Sequence, residues 1–574
     1  MTIDQLELKL DEFRLTFFGE DFEWRKGQKE AVIEIIQAYY NKTRTVILDA
    51  PVGSGKSIIA MAVAWILNQE GKEGYILASD LALQEQYEKD FNRSNFKWGS
   101  IKGIDNYICI DNMEKNSLGT CRVRNIRPPS MSCYNSCPYF MARERAAQSP
   151  TSLLNYAYWL IMMNYVFNHM GEDSIFKARD FTICDEGHKI LDIIQNHYSP
   201  RFDSKVIEKI EDITQFFIIY KVQNHMKDYN SIKCNIEKLF KTENQDDLHE
   251  ILLEIEESFE EYFPTVEKLK DKINEDYPHE DPPDEWRSAL YLCDWLKDLH
   301  CKVEDFNDII DKTSTRNIVK NPTGEKELTF NCLEESYMMH KYFHRWTGFT
   351  LLMSATFADP SKYLRSIALG SAKYIKMDSH FNFDKSPIYF YNKRRMTYNQ
   401  IEGNLPWLYE KIDEILEIHK NDSGIIHTAS YDLALKIYNG IGKKHRKRIL
   451  IYNGTEEKKQ VLDELKINKN KVLMGPSLTH GLDLKDDWSR FTIFAKVPYL
   501  SLSDKFVATK LQINSEWYRW RACIEILQGI GRSIRNENDW AITYFLDGSL
   551  ADLIHNNRKA FPYKEFLARI KIVE

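Results

Sequence analysis

An eight-residue run, Ala50-Pro-Val-Gly-Ser-Gly-Lys-Ser57, constrains this chain more than any other feature. Residues 45–50 before it read as a buried strand, and residues 58–67 after it read as a helix. A strand, a glycine-rich turn and a helix in that order form a phosphate-binding P-loop. Gly53, Ser54 and Gly55 would form the cradle, because glycine lets successive backbone N–H groups turn toward phosphate oxygens. The helix N-terminus adds a potential that favours anions. Lys56 can then reach the β- and γ-phosphates of ATP, and the Ser57 hydroxyl can hold Mg²⁺. The first position is Ala50 where the general pattern has Gly.

The rest of the chain supports α/β layers over parallel sheets. Residues 75–78 and 181–184 read as further buried strands, and a second series follows at 424–427, 449–452, 472–474, 491–495 and 541–546. Ala31, Val32, Ile35, Ile36 and Tyr39 make one apolar helix face. Asp185-Glu-Gly-His188 follows the strand at 181–184. Carboxylates at a strand's C-terminal end beside a P-loop suit metal binding and water activation, with Asp185 holding Mg²⁺ and Glu186 polarising the attacking water. Two stretches depart from the α/β pattern. Residues 103–149 are poor in strand signals, and residues 196–341 are charged and helical, with Leu248, Ile251, Leu252, Ile255 and Phe259 at helical spacing and a loop expected at 279–284.

Composition narrows the class. With 574 residues, 43% hydrophobic and 28% charged, the chain can bury several cores and is not of the disordered class. No apolar run reaches the ~18–20 residues of a membrane helix, and the first residues lack a secretory signal's pattern, so an intracellular protein with no membrane partner is expected. A net charge of −8 argues against a protein basic all over, but not against a locally basic groove. Cys109, Cys121, Cys133 and Cys137 fall in the strand-poor stretch, followed by Pro138. Four clustered thiolates suit either a 4Fe–4S cluster or a tetrahedral zinc, and the spacing alone favours neither. The other six cysteines are scattered.

The order of these motifs resembles the XPD/DinG family of superfamily 2 helicases. Lys102-Gly-Ile-Asp-Asn-Tyr-Ile-Cys109 resembles that family's entry into an iron–sulfur module, and Cys137-Pro-Tyr-Phe-Met-Ala-Arg143 its exit. Asn155-Tyr156 sits where the family has Asn-Tyr or Asn-His before the acidic box. Arg25-x-x-Gln28 resembles its adenine-recognising element, and residues 77–86 its first DNA-contacting motif. Leu352-Met-Ser-Ala-Thr-Phe357 resembles the motif that couples ATP state to DNA grip. Gly481-x-Asp483 resembles the penultimate motif, and Gln528-Gly-Ile-Gly-Arg-Ser-Ile-Arg535 the final one. Two positions depart from the family: Gly187 stands where Ala is usual, which suggests a looser loop, and His480 stands where many relatives carry Glu.

The resemblance implies two RecA-like P-loop domains, with an iron–sulfur insertion and a helical arch insertion in the first. The implied bounds are 1–102, 150–195 and 342–375 for motor domain 1, 103–149 for the cluster domain, 196–341 for the arch and 376–574 for motor domain 2. It implies a 4Fe–4S cluster on Cys109, Cys121, Cys133 and Cys137, rather than zinc. ATP would sit between the motors, touching Arg25, Gln28, Lys56 and Asp483, with Gln528, Arg532 and Arg535 on the γ-phosphate side. The partners implied are single-stranded and forked duplex DNA, unwound 5′ to 3′ by a monomer, in a bacterial or phage-infected cytoplasm. Tyr107, Tyr134 and Tyr139 flank the cysteines and would either stack on bases or pack around the cluster. The alternatives are a nucleic-acid-stimulated translocase that remodels protein–DNA complexes without unwinding, and a zinc-containing nucleic-acid-binding subunit. A small-molecule P-loop kinase would lack the α/β series after residue 420.

Overall fold

A computed structural model describes residues 2–92, 96–123, 128–203, 205–222, 226–276, 284–324, 327–379, 383–452, 455–468, 470–476, 478, 488–531 and 540–573. Its first sheet is all-parallel and seven-stranded. Its strands are Thr45–Asp49 (β1), Gly74–Ala78 (β2), Gly99–Ser100 (β3), Thr151–Asn155 (β4), Arg179–Cys184 (β5), Thr347–Ser354 (β9) and Lys373–Lys376 (β10). Their spatial order is β10-β1-β9-β5-β2-β4-β3. The strand runs are apolar because helices cover both faces: every residue of β1 and β2 is buried. The helix Lys56–Asn68 behind the phosphate loop buries nine consecutive residues, Ile59 through Leu67. The face predicted on the helix Gln28–Tyr40 is the buried one, through Ala31, Val32, Ile35 and Ile36.

A second all-parallel sheet holds Ile388–Tyr391 (β11), Gly424–His427 (β12), Ile449–Ile451 (β13), Val472–Gly475 (β14), Phe491–Phe494 (β15), Ile542–Phe545 (β16) and Ile570–Val573 (β17), in the order β13-β14-β12-β15-β16-β11-β17. Two parallel-sheet domains of this kind are the expected RecA-like pair. The strands β3, β4, β9, β10, β11 and β17 were not foreseen as strands. Several are edge or half-exposed elements without a long apolar run; β10 buries only Ile375.

Residues 103–149 contain short 3₁₀ turns, an isolated bridge between Ile108 and Lys115, and the helix Pro138–Gln148 that returns the chain to β4. The second departure, 196–341, is less purely helical than its charge pattern suggested. Its helices Val206–Ile219, Met226–Lys241, Gln245–Asp276 and Asp284–Lys312 stand on an antiparallel sheet of Arg201–Phe202 (β6), Ile318–Gly324 (β7) and Glu327–Cys332 (β8). The stripe Leu248, Ile251, Leu252, Ile255 and Phe259 is the buried seam of the long second-to-last helix. The loop expected at 279–284 lies outside the described residues as far as 283, and a helix begins at Asp284. No helix among the described residues is long and apolar enough to cross a membrane.

The two motor sheets are joined by specific polar contacts as well as apolar packing. Arg521, on the helix Ser515–Gly531, makes a two-pronged pair with Asp192 at 2.8 and 2.6 Å. Lys510 pairs with Glu335 at 2.7 Å, both largely buried. Trp520 donates its indole N–H to the Phe357 carbonyl at 3.0 Å, across the same boundary.

Candidate active site

β1 ends at Asp49 and the chain turns through two left-handed glycines, Gly53 at φ 80° and Gly55 at φ 79°, before the helix that starts at Lys56. Gly55 is required twice over. Its φ suits glycine, and a Cβ there would lie 2.2 Å from Gln28 Nε2. Gln28 is fully buried and laces the loop from behind. It donates to the Ser54 carbonyl at 2.6 Å and accepts from the Arg25 amide at 2.8 Å. Arg25 in turn donates to the Gly53 carbonyl. The pair Arg25 and Gln28, expected to read the base, thus also shapes the phosphate loop.

Asp185 follows β5 as expected and is buried among polar partners. Tyr87 donates its hydroxyl to Oδ2 at 2.8 Å, and the Glu186 amide donates to Oδ1 at 2.8 Å. Burial pushes the Asp185 carboxyl up, opposed chiefly by the nearby Lys56 ammonium. Removing water destabilises the anion, so a further cation close to it would be stabilising. That is the chemistry of a Mg²⁺ ligand, and Asp185 fits the role. Ser57 Oγ donates to Asp90 Oδ2 at 2.7 Å, which leaves oxygen lone pairs for a metal. Glu186 sits in the left-handed region at φ 50°, a strained position for a non-glycine residue and of the kind that clusters at functional sites.

The acidic box is wired to two distant motifs through His188. Its Nδ1 lies 2.9 Å from Ser354 Oγ, at the end of β9, and 3.3 Å from Glu186 Oε2. Its Nε2 lies 2.8 Å from Gln528 Nε2, on the second motor. The departure at Gly187 turns out to tighten the loop rather than loosen it. A Cβ there would stand 3.2 Å from Leu352 Cβ, and the Gly187 carbonyl accepts from the Tyr363 hydroxyl at 2.6 Å. Gly187 lets the box pack directly against β9.

A cavity of about 1120 Å³ holds these groups together. Its walls include Arg25, Gly53, Gly55, Lys56, Ser57, Asp185 and Glu186 from the first motor, and Gln528 from the second. Arg532, Arg535 and Asp483 lie outside the described residues. Sequence reasoning missed His188, Tyr87 and Asp90. The acidic-box spelling could have pointed to His188, whereas Tyr87 and Asp90 share one helix face whose target is set only by packing.

The four cysteines line a single small enclosed cavity, with Asn116, Thr120, Met131 and Phe140 among its walls. All four are free thiols, and Cys109, Cys121 and Cys137 are buried. Cys121 lies close enough to the other three for each to raise its thiol pKa, though burial raises it most. Asn116 donates its side-chain amide to Cys137 Sγ at 3.4 Å, and a Cβ on Gly119 would stand 3.1 Å from Cys109 Sγ. The pocket is thus apolar, sulfur-lined and supplied with a donor for a thiolate. Zn–S bonds of about 2.3 Å place the sulfurs of a zinc tetrahedron roughly 3.8 Å apart. The same four thiols would equally suit a 4Fe–4S cluster. Tyr107 packs on Tyr139, and both Tyr134 and Tyr139 pack on Phe140, with ring centroids 4.8–5.6 Å apart.

Two family profiles match this chain. One described as the helicase C-terminal domain covers residues 412–563, and one described as the type III restriction enzyme res subunit covers residues 21–220. A probable ATP-dependent helicase of Methanocaldococcus jannaschii is 21% identical, over 92% of each chain. Among solved structures, Xpd4 of S. tokodaii superposes with a TM-score of 0.62 at 14% identity, covering 96% of this chain and 100% of that one. A structure titled XPD helicase gives 0.61 at 15%, covering 96% and 99%.

Proposed function

We propose that this chain is an XPD/DinG-like superfamily 2 helicase driven by ATP, a 5′-to-3′ DNA helicase whose 103–149 module carries a 4Fe–4S cluster. The reading rests on one observation: Lys56, Ser57, Asp185 and Glu186 share a cavity with Gln528 of the other motor. A nucleotide there is held from both sides. Lys56 neutralises phosphate charge, Ser57 and Asp185 would hold a Mg²⁺, which would supply further positive charge at the phosphates, and Glu186 orients the attacking water and accepts its proton. Arg532 and Arg535, which follow the helix Ser515–Gly531 in the sequence, would complete the γ-phosphate contacts. Asp483 would join the nucleotide contacts from the same side.

His188 carries the state of the nucleotide outward. It touches Glu186, Ser354 and Gln528, so loss of the γ-phosphate disturbs three motifs at once. Opening and closing of the motors on a bound strand gives stepping. Cys109, Cys121, Cys133 and Cys137 would hold the cluster. It would supply a rigid cross-link between four chain segments that have almost no regular structure of their own. The proposed domains are 1–102, 150–195 and 342–375 for the first motor, 103–149 for the cluster module, 196–341 for the arch and 376–574 for the second motor. We propose a monomer acting on single-stranded and forked DNA.

The test is anaerobic purification with iron analysis, followed by DNA-stimulated ATPase and unwinding of forks with a single 5′ or 3′ tail. Bound iron, ATPase and unwinding from the 5′ tail are expected. Lys56→Ala should abolish turnover while single-strand binding persists. ATPase without strand displacement would favour a remodelling translocase, and bound zinc would remove the cluster reading.

A further inference from the structure

We infer that Arg569, backed by Phe383, contacts the base of the bound nucleotide from the second motor domain. The inference rests on the nucleotide-cavity reading and adds a residue to it that belongs to none of the helicase motifs.

Arg569 closes the short turn Leu567–Arg569 just before β17, at the far end of the chain, yet it lines the same cavity as Lys56. It is 7% exposed. Its guanidinium is held rigidly by two backbone carbonyls: Nε donates to Ser386 at 2.7 Å and Nη1 to Glu565 at 2.8 Å. The Phe383 ring lies 5.3 Å from the guanidinium carbon. No carboxylate among the described residues lies within ion-pair distance of it. The neighbouring Glu565 carboxylate is directed to Lys376, at 3.8 Å. Burial lowers the Arg569 pKa to about 10, although the nearby Glu565 carboxylate opposes the shift. A buried cation matched only by carbonyls is costly, and a ligand that brings electron density to its face offsets that cost.

The position selects the base end of the nucleotide. Phe383, Met377 and Ser379 line the cavity along the segment that joins the two sheets. Met377 Cε would lie 3.5 Å from a Cβ on Gly27, between Arg25 and Gln28. Arg25 and Gln28 hold the start of the phosphate loop, whereas Gln528 stands beside His188 and the acidic box. A nucleotide with its phosphates on Lys56 and Asp185 therefore directs its base toward Arg25, Met377 and Arg569. A planar guanidinium stacked on a purine face is a favourable cation–π contact, strongest where water is excluded. Because Arg25 and Arg569 belong to different motors, the base, like the phosphates, bridges the domain boundary.

Direct calorimetric binding of ADP and of inorganic pyrophosphate separates this role from a structural one, because pyrophosphate occupies only the phosphate loop. Arg569→Ala should weaken ADP on the order of 10-fold, the scale of one desolvated cation–π contact, and leave pyrophosphate within twofold. Arg569→Lys keeps the charge but not the plane and should recover only part of the loss. Phe383→Ala should reproduce the ADP-selective defect more weakly. Unchanged ADP affinity in Arg569→Ala overturns the inference, and so does an equal loss for both ligands, which marks a collapsed site. Lys56→Ala is the separate control: pyrophosphate binding that survives it would overturn the phosphate-site reading instead.

Discussion

Alanine at position 55 should damage nucleotide binding through Gln28, and a double-mutant cycle can show it. Gly55 holds φ at 79°, where a non-glycine residue pays about 1–2 kcal/mol. The new methyl would also stand 2.2 Å from Gln28 Nε2, so the buried amide or the loop must move. If the amide moves, it loses its bond to the Ser54 carbonyl and its bond from the Arg25 amide. Stranding such a group costs about 1–3 kcal/mol. Gly55→Ala should therefore cost on the order of 2–5 kcal/mol, and at the low end about 30-fold in ADP affinity. Gln28→Ala alone should cost about 1–2 kcal/mol by loosening the loop. The two losses should not add. With Gln28 already shortened, the methyl meets no amide and only the backbone strain remains, so the double variant should bind ADP about 1–3 kcal/mol better than the sum of the singles predicts. ADP affinity by calorimetry on the four proteins is the assay. Additivity within about 0.5 kcal/mol would refute the collision, and wild-type affinity in Gly55→Ala would refute the loop geometry itself.

Further expectations concern the module, the strand below the loop and the motor boundary. Cys133→Ser should lose iron and its visible absorbance together with unwinding, while some ATPase remains; full iron content in that variant would remove Cys133 from the ligand set. Asp49, almost fully buried, has its carboxyl pushed up to about 6 by burial, against the stabilising Tyr374 hydroxyl and Lys376. The folded state thus binds the extra proton between about pH 4 and 6, so stability falls as pH rises through that window and the penalty persists above it. Asp49→Asn should raise Tm at pH 8, by the equivalent of about 1–3 kcal/mol, and change it little near about pH 3, below both pKa values; equal shifts at both pH values would contradict this. Glu335→Ala strands Lys510 at the motor boundary and should cost about 3–5 kcal/mol by thermal unfolding, most of it recovered in Glu335→Leu with Lys510→Met. A single-variant loss below about 0.5 kcal/mol would show the pair to be solvated.

Two halves of the candidate site were legible in the sequence because their signals are local. β1 and β5 are short apolar runs, each followed by its chemistry, so Lys56, Ser57, Asp185 and Glu186 could be placed from spacing alone. The four cysteines were equally visible, but their spacing left the metal open. The single cavity that gathers the four sulfurs depends on how four irregular segments fold around Asn116 and Gly119. The arch was read as helical from its charge and apolar stripe, and its antiparallel base was missed because β6 and β8 pair across more than a hundred residues.

By itself, the sequence determined which segments are strands with reactive ends, where glycine is needed for a left-handed turn, and which thiolates cluster. Each of these is set by a few consecutive residues and their backbone preferences. Tertiary structure alone decided the pairing of His188 with Gln528, 340 residues away, the closeness of Gln28 to Gly55, and the arrival of Arg569 at the cavity that Lys56 lines. These contacts depend on the order of strands in two sheets and on the docking of one sheet domain against the other. No local propensity encodes that order, because it is fixed by which apolar faces bury each other across the whole chain.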